Sequence, residues 1–314
     1  MTPEQIPENT SELQSPLGPP EGPASFTIAI FWNDREFRAG WRLLIYLFFF
    51  VLVDLAETFL LMAAHFPLLT RAGLTAGSML VQESIGLIAA FAAAATMGML
   101  EGRPVGVYGL PRAAAFGELF RQGAAWGIAM IAAIIFLIRA LGGFSFGDFA
   151  LRGPALWGYA LLWGVVFLLV GLFEEFLFRG YALFTLATGA GFWPAATALS
   201  VAFGALHLHN SGEDKVGALS VFVIGMFFCL TLRRTGNLWF AVGVHAAFDW
   251  GETFLFSAPN SGLVAPGHLL NSSFHGSVWL TGGTVGPEGS VMAFGVVAVA
   301  AALFVIVYPA KELE

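Results

Sequence analysis

A chain of 314 residues that is 57% hydrophobic and 11% charged, with a mean hydropathy of +0.77, is too apolar to fold as a soluble globule; it is a membrane protein. The formal net charge of −7, owed partly to Glu4, Glu8, Glu12 and Glu21 ahead of the first apolar run, argues against a nucleic-acid partner. A single cysteine, Cys229, lies in an apolar run and leaves neither an intrachain disulfide nor a Cys-rich zinc site.

Residues 1–25 are rich in Pro, Glu and Ser, carry no basic residue and lack the charged and apolar parts of a signal peptide, so they read as a disordered cytoplasmic tail. Apolar spans then recur at about 42–65, 77–99, 119–141, 155–186, 192–209, 216–233, 237–256 and 290–308. As helices they match the roughly 20 residues that cross about 30 Å of hydrocarbon, although the fourth is too long to lie wholly inside it and the fifth is short. The fold class expected is an all-α polytopic membrane bundle of about eight transmembrane helices.

With the N-terminus placed in the cytoplasm, the inside segments hold Arg35, Arg38, Arg42, Arg103, Arg112, Arg121, Arg233, Arg234 and Lys311, against Arg71, Arg139, Arg152 and Lys215 outside. Arg179 falls within a helix and is set aside. This bias follows the positive-inside rule and puts both termini in the cytoplasm of a multi-pass cell-membrane protein. The segment 257–289 has no Lys or Arg, as suits an extracytoplasmic loop.

Ionisable residues inside such spans need a reason. Asp54, Glu57 and Glu83 suit hydrogen bonding between neighbouring helices. The later half is different, because Glu174, Glu175, Arg179, His207, His245 and Asp249 fall within three helices of an otherwise apolar stretch. Glu175 and Arg179 are four apart with the acid first, the order in which a helical ion pair closes. Glu174 is rotated about 100° from Glu175 and lacks that partner, which leaves it available as a general base. The alternative is a structural triad of both acids with Arg179.

His207 follows a turn at Gly189-Ala190-Gly191, and a hairpin centred near Ala190 sets Glu174, sixteen residues before it, level with His207, seventeen after it. His209 adjoins the polar run Asn210 to Lys215 and reads as a surface histidine. His245 and Asp249 lie one turn apart on one face, where Asp249 either orients His245 or simply satisfies it.

Together, Glu174-Glu175-x-x-x-Arg179, Phe203-x-x-x-His207, Arg234-Thr235-Gly236-Asn237-Leu238-Trp239 and His245-x-x-x-Asp249, in this order over about residues 150–255, resemble the CAAX protease and bacteriocin-processing (CPBP, or Abi) family of intramembrane endopeptidases. The resemblance implies a division into N-terminal transmembrane helices (26–150), a catalytic core (151–256), an extracytoplasmic loop (257–289) and a last helix with a short tail (290–314). It implies hydrolysis of a peptide bond near the cytoplasmic face, with Glu174 and His207 activating water, His245 and Asp249 steadying the oxyanion, and Glu175 and Arg179 in support. Many members have Asn where this chain has Asp249, and an ionised Asp cannot donate a hydrogen bond, so an oxyanion-donor role for Asp249 departs from the pattern.

The substrate implied is a protein or peptide, membrane-associated or prenylated in the family's eukaryotic branch, met within the lipid bilayer. Glu174, His207 and His245 also have the composition of a His₂Glu zinc site. If Glu174 were a ligand, however, the base would have to be Glu175, which Arg179 neutralises, so a metal-free, cofactor-free reaction is favoured. A non-catalytic scaffold or bacteriocin-immunity protein is the alternative from another class. An ion-coupled transporter would show inverted repeats or paired broken helices, and neither is visible.

Overall fold

The computed structural model describes residues 31, 37–66 and 75–309. The tail expected at residues 1–25 lies outside them. Among the described residues ten α-helices follow in order: α1 (Ala39–Ala63), α2 (Ala76–Glu101), α3 (Glu118–Ala140), α4 (Gly153–Arg179), α5 (Tyr181–Ala190), α6 (Phe192–His207), α7 (Lys215–Thr235), α8 (Trp239–Trp250), α9 (Val278–Thr281) and α10 (Val291–Val307). Among the described residues, α1, α2, α3, α7 and the continuous stretch Gly153–Ala190 are long and apolar enough to cross a membrane, and shorter apolar helices accompany them. The chain is an all-α polytopic membrane bundle. The fourth apolar span, expected as one helix, bends at Gly180 into α4 and α5.

Helix ends follow their capping residues. Thr75 and Ser78 form a reciprocal capping box at the start of α2, Asp214 accepts from Val216 N and Gly217 N at the start of α7, and Ser290 accepts from Ala293 N at the start of α10. Without such acceptors the first amide groups of each helix would be left unpaired.

Helix α8 is the centre of the bundle and packs between α3 and α4. Small residues permit this: a Cβ at Gly123 would strike the carbonyl of Phe240, one at Gly127 the carbonyl of Val244, and one at Gly243 the carbonyl of Phe120. Backbones therefore meet directly, as in small-xxx-small contacts between membrane helices, where close packing replaces the missing hydrophobic drive. A buried clasp joins α1, α2 and α5. Arg42 grips Glu101 with two hydrogen bonds of 2.9 Å, and the hydroxyls of Tyr181 (2.5 Å) and Tyr108 (3.2 Å) donate to the same carboxylate.

At one end of the bundle the connections 141–152, 208–214 and 257–289 pack together. A two-residue antiparallel ribbon pairs β1 (Phe144–Ser145) with β2 (Ser273–Phe274), aligning Phe144 with Phe274. Asn210 Nδ2 donates to Ser261 O at 2.9 Å, Thr284 Oγ1 to Gly212 O at 2.8 Å and Gly262 N to Val285 O at 2.8 Å. The segment 257–289 thus forms a bonded cap over the ends of α6, α7 and α8.

Candidate active site

Helix α4 carries Glu174, Glu175 and Arg179 toward α8. Glu175 and Arg179 are fully buried and paired at 3.1 Å, Oε1 to Nη1, as their spacing requires. The guanidinium lies over the ring of Phe203 at 4.3 Å and near those of Phe178 (5.7 Å) and Phe228 (5.8 Å), so aromatic faces stand where water would otherwise solvate it. Gly225 on α7 makes the space, since a Cβ there would strike Arg179 Nη2.

Helix α8 brings His245 onto both acids. Its Nδ1 is 3.1 Å from Glu175 Oε1, and its Nε2 is 3.5 Å from Glu174 Oε2 and 3.5 Å from Asp249 Oδ2. An ionised carboxylate only accepts, so Nδ1 carries the hydrogen toward Glu175 and Nε2 is turned to the other two acids. Phe228 stacks on the imidazole with ring centroids 5.4 Å apart. Glu174 keeps a side-chain exposure of 20% and its Oε2 accepts no hydrogen bond among the described residues.

His207, the last residue of α6, bonds through Nδ1 to the carbonyl of Phe203 at 2.9 Å. A carbonyl cannot donate, so in the neutral ring Nε2 is left as an acceptor. The ring of Phe203 neighbours both histidines, 4.7 Å from that of His207 and 6.4 Å from that of His245. Glu174, Glu175, Arg179, His245 and Asp249 therefore form one contact network, and His207 flanks it. Among the described residues no hydrogen bond or ion pair joins His207 to Glu174. His209 is exposed.

Three further acids neighbour this network: the sequence reads Glu83 only as a hydrogen-bonding acid between helices and singles out neither Glu252 nor Glu288. Glu83, on α2, faces Glu174, His245 and Asp249. The signal was faint: Gly86, one turn on, meets the ring of Phe173 beside Glu174, where a Cβ would lie 2.6 Å from Cζ. Glu252, just past α8, and Glu288, in the cap, lie within electrostatic reach of Asp249, and Glu288 within reach of His207 and His245 as well. Burial, ahead of any other influence, holds the Glu288 carboxyl above the usual carboxylate range.

The residues were tested as metal ligands. Among the described residues no three His, Cys, Asp or Glu side chains converge to hold an ion, and no hydrogen bond or ion pair joins His207 to Glu174 or His245. The arrangement does not fit a His207–His245–Glu174 metal site, and no step is derived through one.

Residues 154–251 match the family described as type II CAAX prenyl endopeptidase Rce1-like. Over this segment, less than half of the chain, the sequence is similar to that family. A search of curated proteins returns no match. The CAAX-protease segment contains Glu174, Glu175, Arg179, His207, His245 and Asp249, whereas Glu83, Glu252 and Glu288 fall outside it. The bilayer setting follows from the long apolar helices among the described residues.

Proposed function

We propose that the chain is an intramembrane endopeptidase that hydrolyses a peptide bond with a water activated by Glu174 and His207. The observation that carries this reading is the two-sided hold on His245, with Glu175 on Nδ1 and Glu174 and Asp249 facing Nε2. Such a hold sets the ring's orientation and lets Nε2–H donate to an oxyanion while the surrounding carboxylates steady its positive charge. The attacking water donates one hydrogen to Glu174 and the other toward His207 Nε2, and its oxygen adds to the carbonyl carbon. The oxyanion accepts from His245. Glu174 then returns its proton to the amide nitrogen as the C–N bond breaks, leaving a carboxylate and an amine.

In this reading the reaction needs neither metal nor cofactor, both termini face the cytoplasm of the cell membrane, and segment 257–289 lies outside. His207 ends its helix against that segment, which sets the site toward the outer face and not the cytoplasmic face that the resemblance implied. One observation favours the non-catalytic scaffold instead: among the described residues His207 bonds the Phe203 carbonyl and joins neither Glu174 nor His245. Purified full-length protein in detergent, incubated with prenylated and non-prenylated reporter peptides beside the Glu174→Ala variant, separates the two. Cleavage lost in the variant is expected; cleavage equal in both proteins, or none of any peptide, would sink the mechanism.

A further inference from the structure

In the cap the extended stretch Leu270–Phe274 is paired along one edge. Its odd-numbered residues face the connection 141–152: Asn271 N donates to Asp148 O and His275 N to Gly143 O, both at 2.9 Å, while Ser273 sits opposite Ser145. Main-chain groups alternate sides along a strand, so those of Leu270, Ser272 and Phe274 point the other way. Leu270 N confirms the direction by donating to Ser257 Oγ at 2.8 Å, and Ser272 Oγ donates to Ser257 O at 2.8 Å, which closes one end of this second edge. Beyond it, Ser272 N and Phe274 N bond nothing on that side among the described residues. A strand edge in this state is a template for another extended chain.

The whole stretch from Leu270 to Phe274 lines a cavity of about 340 Å³, and Thr253 lines it too. Thr253 is 6% exposed, and its Oγ1 has no hydrogen-bond partner among the described residues. A buried hydroxyl left in this way needs a partner that the chain itself does not supply. Among the described residues no Lys, Arg, Asp or Glu lines the cavity, so it matches an occupant without charge. Main-chain donors and acceptors in strand array, a hydroxyl and neutral walls together fit the backbone of an extended, uncharged peptide.

Thr253 also sets the distance to the chemistry. It lies in the turn Gly251–Leu255 that continues α8, eight residues after His245 and about 12 Å further along the axis at about 1.5 Å per residue. An extended peptide covers that length in about four residues at roughly 3.3 Å each.

We propose that a neutral, extended segment of the substrate adds as a strand to the Ser272–Phe274 edge, about four residues from the bond presented to Glu174 and His245. The inference rests on the endopeptidase reading and assigns how its substrate is held. In such an arrangement every second residue of the peptide turns its N–H to the edge, and the residues between turn theirs away.

Reporter peptides with a single N-methyl group at successive positions test this, because each methylation removes one N–H. On purified full-length protein in detergent, KM should rise about tenfold at alternate positions, from about three to six residues on one side of the cleaved bond, with kcat unchanged. Ser272→Pro deletes the edge N–H and sets a ring in its place, and should erase the alternation. Ser272→Ala loses the same hydroxyl but keeps the N–H, and should retain it. In parallel, a dansylated alternating Thr-Val peptide and its singly N-methylated forms are titrated against the Glu174→Ala protein, with and without Ser272→Pro. Binding that weakens at every second position, and loses that pattern with Ser272→Pro, supports the edge even if the wild type cleaves no peptide, an outcome that would end the endopeptidase reading alone. Cleavage that N-methylation leaves unchanged, or slows equally at every position, overturns the inference and leaves the endopeptidase standing. Neither binding nor cleavage overturns both. If Ser272→Pro fails to fold, the presence or absence of the alternation in the wild-type series decides alone.

Discussion

One oxygen of Glu175 serves two partners: Oε1 is 3.1 Å from Arg179 Nη1 on its own helix and 3.1 Å from His245 Nδ1 on α8. Glu174, its neighbour in the chain, makes no comparable hydrogen bond. The two adjacent acids should therefore fail differently. Glu175→Ala leaves the fully buried Arg179 unpaired and should cost about 3–5 kcal/mol of stability. Glu174→Ala removes a partly exposed carboxylate and should leave unfolding nearly unchanged while abolishing hydrolysis. Thermal unfolding in detergent, read beside peptide cleavage, separates them; a Glu174→Ala protein that cleaves normally, or a Glu175→Ala protein as stable as wild type, contradicts the assignment.

The position of His245 depends on contacts far from the chemistry. Helix α8 is set by direct backbone contact with α3 at Gly127, where any side chain strikes the Val244 carbonyl one residue before His245. Gly127→Leu should destabilise by about 1–3 kcal/mol and suppress cleavage by displacing the imidazole. Gly158→Leu is the control, because nothing lies within 4 Å of a Cβ there and the position is exposed. Equal activity in the two variants would show that the α3–α8 contact does not position the site.

The apolar spans were legible because hydropathy over about 20 residues reports membrane helices directly. The bend at Gly180 was not, since Leu177, Phe178, Tyr181 and Ala182 keep the stretch apolar across it. The Glu175–Arg179 pair was legible as a local spacing, whereas the Glu175–His245 bond joins residues 70 apart and depends on how α8 is rotated against α4. Counting from Ala190 gave His207 a height level with Glu174 but no rotation, and the contact of the Phe203 ring with both histidines could not be foreseen. Glu83 was grouped with Asp54 and Glu57 for the same reason: spacing within one helix does not say which neighbour it meets.

The cap should loosen as pH rises. Burial first, and the charge of Glu288 second, push the Glu213 carboxyl up to about 7 from 4.5. A carboxyl whose folded value lies above its unfolded one contributes its full stability below the unfolded value and loses it as pH rises through the folded value. Stability should therefore decline between about pH 5 and 8, and Glu213→Gln should flatten that decline. Hydrogen exchange of residues 257–289 across this range checks it; greater protection at pH 8 than at pH 5 would reverse the sign and refute the assignment.

Orientation follows from the nine basic residues assigned inside against four outside. Val264, 73% exposed in the cap, is a suitable reporter, and the lone cysteine is buried. On a Cys229→Ser background, Val264→Cys should react with an impermeant thiol reagent added to intact cells. Reaction only in inverted vesicles would turn the bundle over and place the cap in the cytoplasm.

Whether hydrolysis needs a metal turns on what is left to act as base. If Glu174, His207 and His245 held zinc, the proton of the attacking water would have to go to another carboxylate. Glu175 is already shared between Arg179 and His245, and Asp249 faces His245 Nε2, the nitrogen a metal would take. His207 bonds the Phe203 carbonyl and, among the described residues, joins neither of the other two by a hydrogen bond or ion pair. The metal-free route leaves every group in place and gives Glu174 the one task for which it is unencumbered. Cleavage should therefore survive chelator washing, and Glu174→Gln should remain inactive at any zinc concentration. Zinc bound in stoichiometric amount by elemental analysis, with activity lost on its removal and restored on its return, would establish the other mechanism and recast Glu174 as a ligand.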